Sequence, residues 1–311
     1  MPRPADSPAA DPAEVALAAA CQERGLDPAG AALLSHSSNA VYHLPRVAAV
    51  ARITTGPGAC ERVARTQSVT RWLVDQGFAA TEPLRGTPMV DLDDHTCVSF
   101  WVYYPQDLRR QEQPDSSHMG RLLRELHQTE PPHIELPAWT PLESLAATVG
   151  DPDRSQAITP ADRSWLSDRV AQVREQLLSV DWPLGTGLIH GDAWAGNLLW
   201  DTTSDAVVLG DWDWVSTGPR EVDLIPTWHA TIRYGRPPSW PQRFTEEYGF
   251  DLATWPGYDV MLQMRDLVQL TGPLRRAPHS PAALAALHQR LGDLRRGDRH
   301  STWAANQHSR S

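Results

Sequence analysis

Two periods of apolar residues run along the chain and predict its elements. Asp11 followed by Pro12, Ala13 and Glu14 has helix-start chemistry, and the helix it opens runs to Arg24, where Gly25 ends it. Val41–Leu44 and Ala48–Ile53 read as two strands of a hairpin. Ala59–Gln76 is a helix with Val63, Val69, Trp72 and Leu73 on one face and Gly77 just past its end. Thr96–Tyr104 is β-rich and stops at Pro105. Met119, Leu122, Leu123 and Leu126 give Asp115–Gln128 a helical face. Residues 130–158 are Pro-rich and read as irregular. Thr159-Pro160 caps a further helix with Trp165, Leu166, Val170, Val173 and Leu177 at helical spacing, and Ser280-Pro281 caps a last one to about Arg296. Residues 1–10 read as disordered and 297–311 as a polar tail.

The clearest local pattern lies between these helices. Leu198–Trp200 and Val207–Leu209 are short apolar runs on either side of Asp201-Thr202-Thr203-Ser204-Asp205, a turn sequence, so they form a hairpin. A hairpin returns the chain, which brings Asn197 before the first strand and Asp211 after the second to the same end. Asp192 precedes Asn197 by one loop.

Those three residues carry a chemistry. Phosphoryl transfer from a nucleotide needs a carboxylate to position the accepting hydroxyl and take its proton, and oxygen ligands to hold Mg²⁺ against the phosphates. Asp192 suits the first task; Asn197 and Asp211 suit the second. His190 belongs to the shape of the loop, bonded to backbone. Other chemistries fit less well. No H-E-x-x-H or CxxC accompanies His190, and no G-x-S-x-G elbow is present.

Composition narrows the setting. At 311 residues the chain can hold two lobes, and no apolar run approaches a membrane span. Cys21, Cys60 and Cys97 are scattered, and the start of the sequence has no basic region followed by an apolar core, so a cytoplasmic protein is expected. The net charge of −10 argues against nucleic-acid or anionic-membrane partners and is compatible with a cationic small molecule. Every Lys/Arg position is Arg; the sequence contains no Lys.

The stretch His190-Gly191-Asp192 with Asn197, then Gly210-Asp211-Trp212-Asp213, then Gly218 with Asp223-Leu224, resembles the aminoglycoside phosphotransferase and choline kinase superfamily of small-molecule kinases. The resemblance implies an α+β, two-lobe, protein-kinase-like fold. Its small antiparallel-sheet lobe would span 1–104 and its larger, mainly helical lobe 105–311. It implies Asp192 as catalytic base, Asn197 and Asp211 as Mg²⁺ ligands, and Asp223 as a carboxylate bracing the catalytic loop. Gly210 departs from the Ile or Val usual there.

Further positions follow from the same resemblance. Ser37, Ser38 and Asn39 take the place of the loop that covers the nucleotide, where backbone N–H groups cradle phosphate. Arg52 stands where the family has a phosphate-gripping Lys. Backbone at Phe100, Trp101, Val102 and Tyr103 would bind the purine of ATP or GTP. The Glu that usually pairs with the Lys is absent; the corresponding helix turn reads Arg65-Thr66-Gln67. Trp194, Asp213 and Trp214 flank the catalytic residues and are candidates for binding the acceptor, a hydroxyl compound of cationic or sugar-like character such as an antibiotic, amino sugar or amino alcohol. An antibiotic-resistance role is one of several open to such an enzyme. The expectation is a Mg²⁺-dependent kinase of that kind. The alternative is a weak or inactive nucleotide or metabolite sensor on the same fold, motivated by Arg52 and the missing Glu.

Overall fold

The computed structural model describes residues 11–36, 39–107, 109–110 and 112–304. They divide into two compact units. The first comprises residues up to Arg109 together with Leu199–Asp213; the second comprises Arg110–Leu198 and the residues from Trp214 onward. Sequence reading placed a single boundary at 104/105, whereas the chain returns to the first unit for the hairpin.

In the first unit, helix α1 (Pro12–Arg24) starts where the Asp11 carboxylate accepts from the Ala13 N–H at 2.9 Å and ends at left-handed Gly25. Strands β1 (Ala32–His36), β2 (Asn39–Leu44), β3 (Ala49–Thr55), β4 (Val90–Asp93) and β5 (Thr96–Val102) form an antiparallel sheet of order β1-β2-β3-β5-β4. Period-two alternation sorts its side chains. Ala40, Tyr42, Ala51, Ile53 and Phe100 are buried in one cluster with Ala16, Leu17 and Cys21 of α1. Cys97, from the opposite face, packs with Ala59 and Val63 of α2 (Ala59–Asp75). Arg52 and Thr54 share that second face by alternation.

The hairpin of β7 (Leu198–Asp201) and β8 (Ala206–Leu209) is fastened to this unit by backbone bonds. Leu209 N–H donates to Ala79 O at 2.8 Å and Thr81 N–H to Leu209 O at 2.9 Å. Gln106 fastens the other strand, accepting from Trp200 N–H at 2.9 Å and donating to Trp200 O at 3.1 Å.

The second unit is mainly helical. It contains α3 (Ser116–Gln128), α4 (Glu143–Gly150), α5 (Pro160–Leu178), α6 (Glu221–Tyr234), α7 (Ser239–Tyr248), α8 (Tyr258–Arg276) and α9 (Pro281–Arg296). Strands β6 (Thr186–Ile189) and β9 (Ser216–Pro219) pair antiparallel. Helix α8 packs against α4, α5, α6 and α9. Its Asp266 is bound by Arg233 Nε and Nη2 at 2.8 and 2.7 Å and by His229 Nε2 at 3.0 Å, so a charged network locks α6 to α8. Among the described residues no helix is long and apolar enough to cross a membrane.

Sequence reading left 130–158 irregular, yet α4 lies within it. That helix has no side-chain cap and starts from Leu142 in the left-handed region, so it carries no local start signal. Strands β1, β4 and β9 are not legible in the sequence; each is four or five residues long, too short for alternation to stand out.

Candidate functional site

The second unit builds a braced loop after β6. Gly191 has φ +83, and a Cβ there would meet the carbonyl oxygen of Trp214 at 2.3 Å, so only glycine fits. The loop's two leading N–H groups are both claimed by one carboxylate. His190 N–H donates to Asp223 Oδ2 at 2.7 Å and Gly191 N–H to Asp223 Oδ1 at 2.8 Å. Asp223 lies in the first turn of α6 and is fully buried. His127 Nε2 sits 3.1 Å from Asp223 Oδ2, and its Nδ1 is 2.8 Å from the Tyr248 hydroxyl. Burial and then the nearby Asp223 charge push the Tyr248 phenol well above its usual range, so it remains an O–H.

His190 is buried, and its Nδ1 accepts the Asp192 N–H at 3.3 Å. Asn197 ends a short 3₁₀ turn and donates from Nδ2 to Asp192 O at 2.9 Å. That bond orients the amide, directing its oxygen away from the carbonyl. The Asp192 side chain is 30 % exposed, and Arg265 of α8 donates to its Oδ1 from Nη1 at 2.9 Å. Trp194 and Trp214 are 41 % and 56 % exposed. The Trp194 ring lies over Gly196, where a Cβ would fall 2.1 Å from it.

The first unit holds the other candidates. Arg52, opposite Ser99 and Val41 in the sheet, donates from Nη2 to Asp211 Oδ1 at 2.9 Å and also to Asp213 Oδ2. Asn39 Nδ2 donates to the same Asp213 oxygen at 3.2 Å. Burial alone would lower the Arg52 pKa, but Asp213 and Asp211 outweigh it and hold the guanidinium above its ordinary value. Asp211 has φ +61, a conformation Asp tolerates better than β-branched residues, and its side chain is 48 % exposed. Trp212 is buried, with its Nε1 donating to Leu209 O at 2.8 Å and the Thr66 hydroxyl of α2 approaching its carbonyl at 3.5 Å. Burial of Trp212 fixes the turn that carries the two carboxylates.

Structure thus gathers Asn39, Arg52, Asp211 and Asp213 in the first unit, and His190, Asp192, Trp194, Asn197, Trp214 and Asp223 in the second. Ser37 and Ser38 lie outside the described residues. Phe100 and Trp101 are buried in β5. Three of the backbone groups expected to meet a purine have partners: Leu84 N–H donates to Phe100 O at 2.9 Å, Val102 N–H to Glu82 O at 2.9 Å and Tyr103 N–H to Ala48 O at 3.2 Å. The carboxylates that meet Arg52 do not come from α2. Gln67 is buried on α2 with an Nε2 that has no bonding partner, and the carboxylates that meet Arg52 come from the turn after β8. Sequence reasoning did not find Arg265, which has no local signature.

The donor set can be tested against Mg²⁺. A half-exposed carboxylate and an oriented amide oxygen are hard oxygen donors of the kind that ion takes, with waters and phosphates completing its shell. The residues fit.

A family model described as "Phosphotransferase enzyme family" matches residues 30–261. No curated protein sequence matches the chain. Among solved structures it is similar to an amicoumacin kinase, hAmiN, in complex with AMP-PNP, Ca²⁺ and Ami, at TM-score 0.71 and 14 % identity, covering 94 % of this chain and 95 % of that one. A microcompartment-associated aminopropanol kinase matches at TM-score 0.63 and 18 % identity over 92 % and 99 %. An aminoglycoside phosphotransferase, APH(3'')-Id from Streptomyces rimosus, matches at 0.61 and 17 % over 82 % and 98 %. At these identities the likeness is one of fold.

Proposed function

Since the chain belongs to the phosphotransferase enzyme family, we propose that it moves the γ-phosphoryl group of ATP or GTP to a hydroxyl of a small molecule, with Mg²⁺ as cofactor. The observation that carries this reading is the clamp of Asp223 on the N–H groups of His190 and Gly191, which holds a loop whose next residue, Asp192, keeps a partly exposed carboxylate. In this reading Asp192 orients the acceptor hydroxyl and takes its proton as the phosphoryl group leaves the nucleotide. Asn197 and Asp211 are the proposed Mg²⁺ ligands. When bound, the ion neutralises charge on the phosphates. Arg52 meets phosphate oxygens bidentately where a Lys would act as a point charge. Purine contacts fall to backbone groups other than Phe100 O, Val102 N–H and Tyr103 N–H, which have partners in the sheet. Trp194 and Trp214 offer indole faces to the acceptor.

The second reading, a weak or inactive nucleotide sensor, draws on Arg52 and on a helix α2 with Gln67 at the place of Glu. Asp213 answers part of that objection, because it supplies Arg52 with a carboxylate partner.

A thermal-shift titration with ATP and GTP, each with and without Mg²⁺, tests the donor side. The kinase reading expects a Mg²⁺-dependent rise in melting temperature that Asp211→Ala abolishes. An equal rise in both proteins removes Asp211 from the metal site. Turnover of any hydroxyl acceptor removes the sensor.

A further inference from the structure

Asp192 is not a free anion within its unit. Arg265 lies on α8, is 9 % exposed, and donates from Nη1 to Asp192 Oδ1 at 2.9 Å. Its helix is held in place by the next residue, Asp266, through Arg233 and His229. The guanidinium therefore stands at a fixed place beside the carboxylate that, in the kinase reading, faces the reacting hydroxyl.

Buried carboxylates of the same unit bind backbone and indole N–H groups, although Glu221 Oε2 has no hydrogen-bond partner. Asp223 binds the loop N–H groups, Glu221 accepts from Leu184 N–H at 2.8 Å, and Asp293 accepts from Trp303 Nε1 at 3.0 Å. Two exposed aromatic residues adjoin this loop: Trp194, two residues after Asp192, and Trp214, whose backbone lies against Gly191.

We infer that Arg265 is a specificity determinant that excludes acceptors with an ammonium group beside the reacting hydroxyl, and that the acceptor is uncharged or anionic there, with an apolar or ring face for Trp194 and Trp214. This rests on the reading of Asp192 as the base. An ammonium on the carbon next to the hydroxyl would share Asp192 with the guanidinium that already pairs with Oδ1 at 2.9 Å, and like charges held by one carboxylate are disfavoured. Cationic sugars and 1,2-amino alcohols are thereby selected against.

The test is a calorimetric titration of kanamycin, a polyammonium probe, into the wild type, Arg265→Gln, Arg265→Lys and Arg265→Gln/Asp192→Asn, with and without Mg²⁺–AMP-PNP. Removing the guanidinium charge should strengthen kanamycin binding by about ten-fold or more. Arg265→Lys should behave as the wild type, and the double variant should lose the gain. Asp192→Asn gives an independent measure: with the guanidinium unopposed, D-glycerate should bind about ten-fold more tightly than to the wild type. Equal kanamycin affinity in the wild type and Arg265→Gln, or unchanged glycerate affinity in Asp192→Asn, overturns the inference. Failure of all four proteins to bind Mg²⁺–AMP-PNP counts instead against the kinase reading, and the kanamycin titrations without nucleotide still decide the role of Arg265.

Discussion

Arg52 and Asp211, 159 residues apart in sequence, meet at 2.9 Å, and the same guanidinium nitrogen also reaches Asp213. One cation thus balances two carboxylates two residues apart on a turn that Trp212 pins down. Without it the carboxylates repel each other in a partly buried place.

Arg52→Ala should therefore weaken the protein even in the absence of nucleotide. Hydrogen bonds to charged groups are worth about 1.5–3 kcal/mol each, and the loss should fall in that range. Arg52→Lys should recover part of it, because Lys keeps the charge on a flexible stem but does not reproduce the guanidinium's position between the two carboxylates. Urea denaturation of the three proteins checks this. If Arg52→Ala is as stable as the wild type, the bridge contributes nothing to the fold.

Asp223 accepts two backbone N–H groups and faces His127 in full burial. Asp223→Ala leaves those donors without an acceptor and should cost about 3 kcal/mol or more. Asp223→Asn keeps one acceptor oxygen and should cost less. Both should lower turnover, since the loop carrying Asp192 loses its clamp. Chemical denaturation with parallel nucleotide turnover separates the effects; a stable Asp223→Ala with full turnover would refute the clamp.

How much of this was readable from the sequence depends on how local each feature is. Helices α1, α5 and α9 announce themselves through Asp11-Pro12, Thr159-Pro160 and Ser280-Pro281, where cap and first turn sit side by side. The β7–β8 hairpin is legible for the same reason. Helix α4 lacks such a start. Bridges from Arg52 to Asp213 and from Arg265 to Asp192 span 161 and 73 residues, and nothing in the intervening sequence encodes them. The net charge of −10 is compatible with a cationic acceptor, but a sum over the chain does not say which charges stand beside Asp192. Arg265 argues for the opposite preference.

His229 predicts a pH dependence of stability. It is buried, and burial pushes its pKa down to about 4 although Asp266 pulls the other way. Above pH 6.5 both folded and unfolded forms carry it neutral. Below that value the unfolded chain takes up a proton that the folded chain refuses, so stability falls as pH drops from 6.5 toward 4. Between pH 7 and pH 5 this amounts to about 2 kcal/mol. His229→Gln should remove that share of the slope. Denaturant midpoints at the two pH values in both proteins measure it; identical slopes would mean that His229 titrates normally.

In the proposed reaction Asp192 serves as base and Asp211 as metal ligand. Calorimetric titration of Mg²⁺–ATP and Mg²⁺–GTP into the wild type, Asp192→Ala and Asp211→Ala, followed by ADP or GDP release in the same samples, tests it most directly. Asp192→Ala should bind the preferred nucleotide within about two-fold of the wild type yet release no diphosphate, whereas Asp211→Ala should bind at least about ten-fold more weakly. Equal loss of binding in both variants, or undiminished release by Asp192→Ala, would contradict the roles assigned here.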